Sequence, residues 1–145
     1  MRVGLAEVDI TPTEAVFMAG YAARTERSAG VYLPLEARAL AIESDEAALV
    51  WLTADLIGFD PAFAEPLLER IAAACGLLPE QVLICCSHTH CGPTIRRSDV
   101  ARYGADAVAG SDRLADQLVA VCGTAWARRE PARLKFGVGD CRMGI

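Results

Sequence analysis

Apolar and polar positions change rhythm several times along the chain, and each rhythm predicts a different element. Near the start, "RVGLAEVDI" alternates closely enough for a strand, closed by Thr11-Pro12. A loop rich in Gly, Ala and Thr follows over about 12–33. "LEARALAIES" and "AALVWLTADLIG" then read as two strands folded back on each other around Ser44-Asp45-Glu46, an antiparallel hairpin. In "FDPAFAEPLLERIAAACG" the rhythm becomes helical, with Phe63, Leu67, Ile71 and Ala74 on one face. Asp60 suits the N-cap, Pro61 the first helical position and Gly76 the C-terminal cap, while Pro66 predicts a kink or a later start.

"EQVLICCS" is apolar at successive positions, which predicts a strand covered on both faces. Residues 91–110 read as a loop with a short helix near "DVARYGADAV". Ser111 is the expected cap of a second long helix that aligns Leu114, Leu118, Val121 and Ala125 and stops at Pro131, after which "RLKFGVGDC" starts another strand. A strand–helix–strand–helix–strand order from residue 47 onward implies parallel pairing with right-handed crossovers. The expectation is an α/β fold: a mixed sheet with an antiparallel N-terminal hairpin and parallel strand–helix–strand units. At 145 residues the chain is one domain's worth, long enough for a real core. "RLKFGVGDCRMGI" ends directly after a strand-like run, so residues 1–145 are expected to be the N-terminal portion of a longer domain.

Composition narrows the function classes. The net charge is −5, with no basic stripe or cluster, which argues against a nucleic-acid partner. No apolar run reaches the length of a membrane span, and residues 1–30 contain no uninterrupted apolar segment of the secretory kind. The six cysteines form no CxxC pair, and buried reduced thiols are the better reading than a disulfide framework. A cytoplasmic protein is expected on these grounds.

The candidate chemistry sits in "QVLICCSHTHCGP", residues 81–93, which holds both of the chain's histidines, His88 and His90. On a strand, residues i and i+2 face the same side, so the two rings are expected to project into one space. Neutral imidazole is a common zinc ligand, and sites in parallel sheets collect beyond the carboxyl ends of strands. The preceding strand ends at Ala54-Asp55, which should bring Asp55 close to the pair. Asp55 reads either as a partner that holds a histidine tautomer or as a turn former. Gly20-Tyr21 reads as a pocket wall or as a simple loop turn. Spacing alone leaves metal binding open: a catalytic zinc site needs three protein ligands, so either a carboxylate such as Asp55 joins or other ligands lie beyond residue 145. Cys85, Cys86 and Cys91 fit no structural zinc spacing and read as small buried residues. Arg38 reads as part of an exposed strand face.

Taken together, "GLAEVDITP", "MAGYA", "LEARALAI", "TADLIG" and "SHTHCGP", in this order and spacing, resemble the N-terminal catalytic domain of the neutral/alkaline non-lysosomal ceramidases. The resemblance covers nearly the whole chain. It implies a zinc-dependent amidohydrolase that cleaves the N-acyl bond of ceramide to give sphingosine and a fatty acid. His88 falls on a zinc-binding histidine of that family, and His90 on the histidine beside the metal, where a donor to the developing oxyanion is expected. The family's further ligands, a histidine, a glutamate and a tyrosine, lie downstream. The resemblance therefore implies a need for the rest of the polypeptide and an inactive segment without it. Two alternatives stay open: a related zinc hydrolase on a soluble amide or ester, and a truncated non-catalytic relative that binds metal.

Overall fold

The computed structural model describes residues 1–141. Strands β1 (Arg2–Asp9), β2 (Glu36–Glu43) and β3 (Ala48–Ala54) form an antiparallel meander, with Ser44 closing the β2–β3 turn by accepting from the amides of Glu46 and Ala47. Helix α1 (Pro61–Cys75) leads to β4 (Val82–Cys86), which pairs parallel to β3. The short α2 (Val100–Tyr103) and the long α3 (Ser111–Ala127) precede β5 (Glu130–Pro131). The strand order is β4-β3-β2-β1-β5, so the sheet is mixed, as the hydrophobic pattern predicts, with one parallel pair.

The alternation of side chains sorts the sheet into two unlike faces. On one, Ala37, Ala39 and Ala41 of β2 lie beside Val50, Leu52 and Ala54 of β3, all fully or almost fully buried. The small residues let α3 come close, and Leu114, Leu118, Val121, Cys122 and Ala125 fill the space against them. Gly4 has the same role in β1: a Cβ there would press into the Ala125 carbonyl oxygen and lie 3.0 Å from the Arg129 amide. On the other face a row runs across four strands, Leu5–Leu40–Trp51–Leu83, with Leu5 67%, Trp51 39% and Leu83 44% exposed. The expectation that β4 is covered on both faces is therefore corrected: among the described residues only the Val82, Ile84, Cys86 side is packed. Arg38 lies on the open face beside Glu7 and Glu36, as expected.

The ends of α1 follow the sequence. Asp60 accepts the Phe63 amide at 3.0 Å, Pro61 opens the helix, and Gly76 closes it at φ 65°, donating to the Ala72 and Ala73 carbonyls. The helix runs through Pro66 unbroken, and its buried edge ends on Cys75 in place of Ala74. For α3 the cap expectation fails: Gly110 is the N-cap at φ 90°, and Ser111 is already the first helical residue. The last strand also differs. β5 is two residues long and joins β1 antiparallel at the far edge, so the second parallel unit does not form, and residues 132–141 carry no regular element.

Candidate active site

The parallel pairing of β3 with β4 sets Ala54 opposite Cys86, and the Ser87 amide extends the ladder by donating to the Ala54 carbonyl at 3.1 Å. The chain then leaves the sheet. His88 and His90 stand in this exit loop and not on the strand, so the i, i+2 strand argument is not what brings them together. His88 adopts a left-handed backbone, φ 60°, a conformation uncommon outside glycine that costs about 1 kcal/mol and concentrates at functional sites. That turn leaves the two imidazole centroids 5.2 Å apart, with the rings inclined at 62°.

The two rings are held differently. His88 Nδ1 lies 2.7 Å from the Ile57 carbonyl oxygen. A carbonyl only accepts, so Nδ1 carries a proton, and in the neutral imidazole Nε2 then keeps its lone pair. Metal-ligating histidines commonly show this arrangement, with one ring nitrogen donating to a carbonyl and the other left to bind the ion. His90 Nδ1 is buried and has no hydrogen-bond partner. Its ring is confined by packing: Tyr21 meets it edge-on at 4.9 Å between centroids, and a Cβ on Gly20, at φ 104°, would lie 2.7 Å from Nδ1 and closer still to the ring carbon Cγ. Gly20 and Tyr21 are thus walls of the histidine site.

Asp55 comes to the same end of the sheet but does not hold a histidine. Its carboxylate accepts the Glu36 amide at 3.1 Å, while the Ile57 carbonyl takes the place beside His88. Asp55 instead lines, with Thr89 and Cys91, a cavity of about 720 Å³ whose other walls include Val16, Met18, Val31 and Leu35 from the 12–35 loop. A second concavity of about 570 Å³, over Leu5, Leu40 and Trp51, lies on the open sheet face; neither histidine lines either cavity.

Among the described residues no three His, Cys, Asp or Glu side chains gather where an ion could sit, so Asp55 does not complete a set with the histidines. The nearby thiols do not supply one either. Cys85 and Cys86 point to opposite faces, and burial, with Cys85 adding to it, pushes the Cys86 thiol up to about 11, so it stays protonated at neutral pH. The donor set here is one pre-oriented imidazole nitrogen, on His88, with His90 beside it.

Residues 1–137 match the family model described as neutral/alkaline non-lysosomal ceramidase, N-terminal. The chain belongs to the neutral/alkaline non-lysosomal ceramidase family. It is 32% identical over 150 residues to the neutral ceramidase of Pseudomonas aeruginosa, a match that spans 97% of this chain and 22% of the relative. The crystal structure of that ceramidase superposes on 90% of this chain with a TM-score of 0.73 at 29% identity, and a ceramidase complexed with C2 does so with a TM-score of 0.74 at 28%. In each case this ceramidase-family chain spans 22% of the length of its relative. Family membership is consistent with a metal cofactor. No helix among the described residues is long and apolar enough to cross a membrane.

Two contributors to this ceramidase-like site escape a sequence reading. Ile57 acts through its carbonyl, a group every residue carries, so its side chain gives no signal. Arg24, whose guanidinium reaches the His90 backbone, stands in an aperiodic loop; a lone charge among small residues in "YAART" is the one hint.

Proposed function

We propose that this chain supplies His88 as a zinc ligand and His90 as a substrate-facing donor to an amidohydrolase that cleaves the N-acyl bond of ceramide-like lipid amides. The observation that carries this reading is the 2.7 Å contact of His88 Nδ1 with the Ile57 carbonyl, which in the neutral ring assigns the proton to Nδ1 and leaves Nε2 for an ion. Zinc bound there would supply Lewis acidity toward the scissile carbonyl and make water nucleophilic near neutral pH.

The remaining work falls to this chain's residues. In neutral His90 one nitrogen carries the proton. A buried N–H without an acceptor is costly, and Nδ1 has none, so the proton belongs on Nε2. That makes His90 a donor, suited to the oxygen on which negative charge develops as the amide carbon becomes tetrahedral. The apolar cavity under the 12–35 loop, which Thr89 and Cys91 on either side of His90 help to line, is suited to an aliphatic chain, which favours a lipid amide over a small soluble one. The described residues offer one oriented ligand nitrogen, so the further ligands of a catalytic zinc site and the acid for the leaving amine must come from outside residues 1–141.

Zinc content by elemental analysis, measured beside ceramide hydrolysis in the full-length polypeptide, tests this. His88→Ala should lose zinc and turnover together. His90→Ala should keep most of the zinc and lose turnover by roughly 100- to 1000-fold, the usual range for one oxyanion donor. Stoichiometric zinc in His88→Ala would overturn the assignment of the ligand.

A further inference from the structure

The two histidines differ in a way that demands a second anchor. His88 has a ring hydrogen bond to fix its orientation, whereas His90 Nδ1 has none. The direction of the His90 ring therefore depends on what packs against it and on what holds its backbone. One side chain touches both. Arg24 Nη1 donates to the His90 carbonyl at 2.8 Å and to the Ala19 carbonyl at 3.2 Å, and its guanidinium lies 5.1 Å from the centre of the Tyr21 ring, which in turn abuts His90.

We propose that Arg24 is a positioning residue for His90. It acts through the His90 backbone and the Tyr21 ring, with no contact to substrate. Among the described residues Arg24 forms no salt bridge, so its charge is directed at the two carbonyls, and hydrogen bonds from a charged donor are roughly twice as strong as neutral ones. The Arg24 backbone is itself tied down: its carbonyl accepts from the Tyr103 hydroxyl at 3.0 Å and from Arg102, and Tyr103 stacks on Phe17 at 4.7 Å. Phe17 and Ala19 are laced to the exit loop by Thr94 N–H to Phe17 carbonyl, 2.8 Å, and Ala19 N–H to Gly92 carbonyl, 3.2 Å. Arg24 thus joins two loops at the one ring that lacks an anchor of its own. The inference rests on the reading of His90 as the substrate-facing donor.

The test compares Arg24→Met, Arg24→Lys and, as a control from the same loop, Arg27→Met. Arg27 bonds the Ala15 carbonyl, pairs with Asp106 and stacks on the Phe17 ring, so it braces the same loop without a bond to His90 or a contact with Tyr21. In the full-length polypeptide, with a short-chain N-acylsphingosine as substrate, Arg24→Met should lower kcat by roughly 10- to 100-fold, the scale of a misplacement of about 1 Å. KM should move less than about threefold and zinc should stay bound, because the Ile57 contact holds His88 independently. Arg24→Lys retains a cationic donor and should recover part of the turnover; Arg27→Met should stay within about twofold of the unsubstituted protein. A second readout does not depend on activity: with 15N-labelled histidine, the His90 ring signals should broaden in Arg24→Met while those of His88 stay sharp. Unchanged kcat, equal loss of kcat and zinc, or an equal effect of Arg27→Met would each overturn the proposal. If the unsubstituted protein hydrolyses no ceramide, the functional reading fails, and the ring signals still decide on Arg24: a sharp His90 ring in Arg24→Met rejects it.

Discussion

Leu52, inside β3, and His90, in the loop that follows β4, are kept in place by unlike means. Leu52 is fully buried, with Ala39 and Ile84 beside it in the sheet and the helices above. Its position is set by many weak contacts, none of which is decisive alone. His90 stands in a loop whose geometry depends on single contacts: one arginine to one carbonyl, one glycine that leaves room for a ring, one tyrosine edge. The comparison teaches that damage should read out differently in the two regions. Losses in the sheet should appear as lost stability, and losses in the loops as lost chemistry from a molecule that still folds.

The largest effect expected is in the sheet. Leu52→Ala deletes a fully buried side chain and should cost about 2–5 kcal/mol, visible as a lower urea midpoint, with activity following the folded fraction. A loss below about 1 kcal/mol would mean that the site is loosely packed and the contrast is overstated.

The sharper comparison uses one glycine from each region. Gly4→Ala drives a methyl into the Ala125 carbonyl, which belongs to a helix backbone and cannot yield; about 1–3 kcal/mol should be lost, with kcat intact in the molecules that fold. Gly20→Ala drives a methyl into the His90 ring from a left-handed position, which costs about 1 kcal/mol of strain and should lower kcat by roughly 100-fold. If Gly20→Ala melts the protein as severely as Gly4→Ala and spares kcat, the division between the regions fails.

The effect that is invisible at neutral pH is a pH dependence confined to the core. Burial, with Cys75 adding to it, pushes the Cys122 thiol up to about 12, against 9.0 for a free thiol. The folded state keeps the proton where the unfolded chain releases it, so this contribution is complete below pH 9 and is lost as pH rises from there toward 12. The slope should reach about 1.4 kcal/mol per pH unit in that window. Urea midpoints measured across it should fall, and Cys122→Ala should flatten the fall; an unchanged slope in that variant would assign the effect elsewhere.

The same division explains what the sequence makes legible. The sheet and long helices announce themselves because burial imposes a period, and α1 carries its own punctuation in Asp60, Pro61 and Gly76. The alternation in "RLKFGV" misleads because a strand needs an edge to join. β1 accepts only Glu130 and Pro131, and beyond them Leu134, Phe136 and Val138 stand exposed. The histidine pair is legible as residue types in a place, and Gly20-Tyr21 as a candidate wall. The tautomer of His88 is not, since it depends on a backbone oxygen 31 residues away in sequence. Nor is the role of Arg24, whose partner is also a carbonyl, 66 residues along the chain. Contacts to backbone groups carry no residue-type signature, and loops carry no period that would reveal them.

Only Ser87 separates the last residue of β4 from His88, and its amide is still bonded to Ala54. The error that this arrangement permits is therefore discrete. Strand pairing slips in whole residues, and a slip of one exchanges the faces of every side chain in the strand. Deleting or inserting a single residue between 82 and 87 cannot be absorbed as a small displacement: either β4 keeps its pairing and His88 is carried one place away from the Ile57 carbonyl, or His88 stays and Ile84 turns out of the core. Sequence length here is fixed as firmly as sequence identity. The 12–35 loop, bonded at intervals and without a continuous ladder, has no such constraint, and changes in chain length among relatives should collect there while the run from Val82 to His88 keeps a constant count.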